Sequence, residues 1–154
     1  MSSTWVLIPC PRHRLDELRS LLAAIEVGPD RVVVVTTEPD PILPIDLSNV
    51  ADTVLRFAEV GMLFGAWLNL GLDYIATQVR DGTPYEVAIL SSDLGCDQDS
   101  LLTMVTVMRE RNLSMTGPDL PGYVGAGQVQ VCDAGMPRTV FNRIPGCCMV
   151  VAGE

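Results

Sequence analysis

The order of apolar and polar positions predicts alternating strands and helices. Residues 4–9, TWVLIP, form a continuous apolar run of strand length, and the polar break CPRHR follows. In LDELRSLLAAIE (15–26) Leu15, Leu18, Leu22 and Ile25 recur at helical spacing, and Gly28-Pro29 ends that helix. RVVVVTT (31–37) is almost wholly β-branched, as a strand buried on both faces is. This β-α-β order implies a parallel pair. Three prolines in EPDPILPIDLSN (38–49) mark a loop, and TVLRF (53–57) is a short strand candidate. In GMLFGAWLNLGLDYIATQV (61–79) Phe64, Trp67, Leu68, Leu72, Ile75 and Val79 define one buried helical face, which Asp81-Gly82 closes. EVAILSSD (86–93) is the next buried strand. QDSLLTMVTVMRER (98–111) is the next helix, with Asp97 or Asp99 as its N-cap.

From residue 114 the pattern loosens. SMTGPDLPGYVGAG is rich in glycine and proline; GQVQVCD (127–133) and PGCCMVVAG (145–153) then predict strands, with RTVFN (138–142) a weaker one. Strands and helices alternate first and extra strands come late. The expected fold is therefore α/β: a mostly parallel, Rossmann-like sheet flanked by helices, with a small mixed strand addition near the C-terminus. The 154 residues suit a single domain spanning 1–154. Such sheets bind ligands beyond the carboxyl ends of their strands. Those ends carry Cys10-Pro11-Arg12, then Glu38 and Asp40, then Ser91-Ser92-Asp93, so three polar candidates fall on one edge.

Charge narrows the ligand class. Nineteen acidic residues against ten arginines, with no lysine, give a net charge of −9, which disfavours binding to a nucleic-acid backbone. It leaves room for a nucleotide held through a divalent metal, since carboxylates hold such metals. No apolar run reaches the length of a membrane span, and the opening stretch reads as a buried strand rather than a signal peptide. Five cysteines without a C-x-x-C pair and a single histidine lack zinc spacing; buried free thiols and a cytoplasmic location are expected.

VLIPCPRHRLDELRSLL resembles the opening of family-2-type glycosyltransferases of the GT-A fold: a strand ending in Ile-Pro, a basic residue, then a helix with Leu-x-x-x-Leu. FGAWLNLGLDYIA is similar to their glycine-rich helix with Asn-x-Gly, here Asn69-Leu70-Gly71. AILSSD resembles the strand that delivers their Asp-x-Asp or Ser/Asn-x-Asp triplet. MTGPDL and PGCCMVV resemble the Val-Gly-Pro and Gly-Ala strands beyond it. The resemblance runs through nearly the whole chain in order.

It implies that Asp93 holds Mn²⁺ or Mg²⁺ bridging the diphosphate of a nucleotide-sugar donor. Ser91 takes the first triplet position, usually Asp, leaving one carboxylate fewer, and Ser92 lies between them. Glu38 or Asp40 takes the place of the acid that reads base or ribose. Pro9 and Arg12 line the base pocket, Arg12 as a planar donor or stacking partner or, on a plainer reading, a surface charge. Gly61 and Gly65 allow the backbone close to the donor, and Asn69 shares their helix. His13 is expected at the surface in a turn.

The family's general base lies after the Gly-Ala strand, where this sequence reaches Glu154; the acceptor half is expected to be largely missing. Asp119 and Asp133 are substitutes with no spacing to recommend them. The implied function is sugar transfer from a nucleotide-sugar to an unspecified acceptor. The alternative is a non-catalytic nucleotide- or nucleotide-sugar-binding module of the same fold. A nucleotidyltransferase ranks last because CPRHR contains no glycine, and a purely structural α/β protein is the plain alternative. Apolar surface left by the missing half makes a homodimer the expected assembly.

Overall fold

A computed structural model describes residues 3–26, 31–37, 53–80, 82–93, 95–117, 128–133, 136–141 and 148–153. In chain order the elements are β1 (Ser3–Pro9), a 3₁₀ turn (Arg12–Arg14), α1 (Leu15–Ala24), β2 (Val32–Thr37), β3 (Thr53–Ala58), α2 (Phe64–Gln78), β4 (Tyr85–Leu90) and α3 (Gln98–Glu110). There follow β5 (Met115–Thr116), β6 (Gln128–Asp133), β7 (Met136–Phe141) and β8 (Cys148–Gly153).

Six strands form one mixed sheet in the order β3-β2-β1-β4-β8-β5. β3, β2, β1 and β4 run parallel, whereas β8 is antiparallel to both β4 and β5. The expectation of a mostly parallel sheet therefore holds only in part. The later strands supply the antiparallel part: β8 lies in the sheet between β4 and β5, and among the described residues β6 and β7 form a separate antiparallel pair. The physical reason is edge pairing: β4 would otherwise expose a row of backbone donors and acceptors on that side, and β8 runs beside it in register along all six residues.

Period-2 alternation divides the core between the two faces. Val6, Ile8, Val32, Val34, Ala88 and Leu90 meet α1 and α3 on one side; Trp5, Leu7, Val33, Val35, Val87 and Ile89 meet α2 on the other. Strands buried on both faces must be apolar throughout, hence the near-continuous run VVVVTT. Helix α2 approaches closely at Gly71, where a Cβ would run into the buried Leu7 side chain. Arg56 of β3 lies over the Tyr74 ring of α2, 4.0 Å from its centroid. On the opposite face, the Gln98 side chain pairs with the Glu26 backbone, accepting from its N–H at 2.8 Å and donating to its carbonyl at 3.3 Å.

Two expectations for the helices change. α2 begins at Phe64 rather than residue 61, and Phe64 is exposed rather than part of the buried face. Gly61 instead takes a positive φ of 92° in the turn before α2, a conformation glycine adopts without strain. Of the two N-cap candidates, Asp97 caps α3, accepting from the Ser100 N–H at 2.8 Å. No described helix is long and apolar enough to cross a membrane.

At the amino end of the sheet Glu86 is buried, and Arg109 of α3 grips it with two bonds, Nε to Oε1 and Nη2 to Oε2, each 2.7 Å. The same guanidinium reaches Thr4 Oγ1 at 3.2 Å. This clasp ties β1, β4 and α3 together, and the fork geometry of arginine suits it.

Candidate functional site

After β1 the chain moves to β2 and β3 on one side, then crosses through α2 to β4 on the other side of β1. The switch in direction falls between β1 and β4, where open α/β sheets form a crevice beyond the strand ends. A cleft of about 420 Å³ lies there, lined by Pro9, Pro11, His13, Arg14, Met62, Phe64, Trp67, Ser91, Ser92 and Asp93. That volume lies within the range of small-molecule sites.

One wall is the turn after β1. The Arg14 N–H donates to the Pro11 carbonyl at 2.9 Å, fixing the turn, and Cys10 N–H continues the sheet by donating to Val35 O at 2.9 Å. Cys10 itself is buried, and burial pushes its thiol above the ordinary value, so it is packing rather than a nucleophile. The turn places Arg12, His13 and Arg14, two of the chain's ten arginines and its one histidine, at the carboxyl edge.

The other wall is the loop after β4. Asp93 accepts a hydrogen bond from the Ser91 hydroxyl on Oδ1 and pairs through Oδ2 with Arg14 Nη1. Ser91, and after it Arg14, hold the Asp93 carboxyl below its usual value, while Asp93 raises that of the guanidinium. Glu17, one turn into α1, also lies 3.5 Å from Arg14 Nη1. Ser92 is 2% exposed; its hydroxyl lies beside the Cys10 thiol, a weak partner, and makes no hydrogen bond of normal geometry. Nε1 of Trp67 is likewise buried without an acceptor.

Pro9, Ser91, Ser92 and Asp93 thus meet at one cleft. Arg12, Gly61 and Asn69 are not among its lining residues, and Asn69 is exposed on α2. Glu38, Asp40 and Asp119 lie outside the described residues, as does the side chain of Asp133. Pro11, within the strand-end candidate Cys10-Pro11-Arg12, also lines the cleft. Arg14 and Met62 were not among the expected site residues, Phe64 and Trp67 were expected in the core, and His13, expected simply at the surface, is exposed on the rim. A signal for Arg14 was available: positive charge concentrated in three residues at a strand end, in a chain of net charge −9.

The donor set can be tested against the divalent cation that the glycosyltransferase resemblance implies. Asp93 is the one carboxylate lining the cleft among the described residues, and both its oxygens are engaged, one by a guanidinium. No group of three or more His, Cys, Asp or Glu side chains forms a metal cage among them. A cation at Asp93 would have to displace Arg14, so the arrangement does not fit a resident metal as it stands. Compared with known proteins, the chain matches no family model and no curated sequence.

Proposed function

We propose that the cleft between β1 and β4 binds a nucleotide-sugar, and that the chain is a glycosyltransferase-like protein of GT-A type. The observation that carries this reading is the pairing of a basic turn with a Ser-Ser-Asp loop at the switch point of the sheet. Pro9, Pro11, Phe64 and Trp67 supply apolar and aromatic surface for a base or sugar ring. Arg14 and the Ser92 hydroxyl supply donors for phosphate oxygens.

Sugar transfer would require a base to take the acceptor's proton. The single carboxylate lining the cleft among the described residues is Asp93, already paired with Arg14. That observation favours, as the second reading, a module that binds nucleotide or nucleotide-sugar without catalysis. A homodimer could complete the acceptor side in the first reading.

Thermal melting with UDP-, GDP- and TDP-sugars tests the shared premise, because a ligand that binds only the folded chain raises its melting temperature. A rise of several degrees with one donor family is expected, and no rise with any donor overturns both readings. Where a donor binds, slow release of free sugar separates enzyme from module.

A further inference from the structure

We propose that Arg14 is the phosphate-binding cation of this cleft, so that a diphosphate binds there without a divalent metal, competing with Asp93 for the guanidinium. This inference rests on the reading of the cleft as a nucleotide-sugar site, and deepens it.

The polar groups of the cleft are chiefly donors. A metal ion needs an excess of acceptor oxygens, whereas the described lining offers one carboxylate, already matched by a guanidinium. In contrast, Ser92 Oγ and Trp67 Nε1 are both buried and lack good partners, and an indole N–H can only donate. A buried donor left unpaired is costly, so two of them beside one cleft point to a ligand rich in acceptors. Phosphate oxygens are such acceptors, and a planar guanidinium can bind two of them at once.

The position of Arg14 carries the same implication. It is the residue immediately before α1, a ten-residue helix with no side-chain N-cap. A positive side chain at a helix N-terminus opposes the helix dipole, which favours anions there. Asp16 and Glu17 in the first turn already complement that dipole. The Arg14 charge therefore does not complement the dipole; beyond its i,i+3 contact with Glu17, it faces Asp93 across the cleft from a different strand end, 79 residues away in sequence. The pair is half-open to solvent, with side-chain exposures of 36% and 45%, so an incoming anion can share or replace the carboxylate at small cost.

The experiment is calorimetric titration of the whole chain with inorganic diphosphate and with UDP and GDP, each in EDTA and in Mn²⁺. Manganese binding to the ligand-free protein is followed by paramagnetic resonance. Wild-type affinity for diphosphate is expected to differ less than threefold between EDTA and Mn²⁺. Arg14→Gln should lose tenfold or more, Arg14→Lys should recover part of that loss, and Asp93→Asn, which frees the guanidinium, should bind more tightly than wild type. Ligand-free wild type should hold Mn²⁺ more weakly than Arg14→Gln, in which Asp93 is released. Circular dichroism melts of the variants show that each is folded.

Diphosphate binding that requires Mn²⁺, is lost in Asp93→Asn and is indifferent to Arg14→Gln overturns the proposal. Absence of any diphosphate or nucleotide binding overturns it together with the nucleotide reading. Arg14-dependent binding of diphosphate with no gain from a nucleoside upholds the role of Arg14 while the nucleotide reading fails.

Discussion

The two ends of the sheet each carry an arginine–carboxylate pair, and the two pairs differ in almost everything else. At the amino end Arg109 grips the buried Glu86 through two bonds and also reaches Thr4, joining three elements. At the carboxyl end Arg14 and Asp93 meet through a single guanidinium nitrogen, both half-exposed, on the walls of an open cleft. A buried carboxylate without its partner is strongly destabilising, whereas an exposed ion pair contributes little. The same chemistry is therefore a fastening at one end and an available binding group at the other.

Removing the fastening has the largest expected effect. Arg109→Leu strands Glu86 without its guanidinium and should cost about 3 kcal/mol, the low end for a buried pair because Arg109 is itself half-exposed. The measurement is the midpoint shift in urea unfolding. Adding Glu86→Leu to that variant should recover most of the loss, since it removes the uncompensated charge; no recovery would mean that the clasp is not what stabilises this end.

A middle case lies at the carboxyl edge itself. Asp97 caps α3, and its bonds to Ser100 hold its carboxyl below the ordinary value. Asp97→Ala should lower the melting temperature by a few degrees. Because the folded value is depressed, this stabilisation is present above the unfolded carboxylate value of about 4 and is lost as pH falls through the folded one. The gap between wild type and Asp97→Ala should therefore close in strong acid. Asp93→Asn, four residues earlier, should melt within about a degree of wild type at neutral pH. A drop as large as that of Asp97→Ala would make Asp93 a structural residue and erase the contrast between the two ends.

The elements were largely legible because burial leaves a periodic trace. VVVVTT and EVAIL read as strands buried on both faces, and Leu15 and Leu18 marked α1. Periodicity speaks for a face but not for its ends, so Phe64 was assigned to the buried stripe although it opens α2 at the cleft rim. Strand order was not legible. Nothing in the composition of CMVVAG says that it inserts beside β4, since pairing is decided by which neighbour leaves its backbone unsatisfied. At the site, the glycosyltransferase resemblance supplied Pro9, and strand-end logic found Pro11 and Ser91-Ser92-Asp93. It missed Arg14 because a residue's reach across a cleft depends on the spacing of two loops far apart in sequence.

The reversed strand β8 also sets a timetable. Its partner β4 leaves the ribosome roughly sixty residues before it. During that interval one edge of β4, apolar from Val87 to Leu90, has no strand beside it. Pairing across so long a separation is slow to form, and an unpaired apolar edge is a template for aggregation. The newborn chain is thus most exposed to misassembly just before residues 148–153 emerge, and their arrival covers that edge of β4.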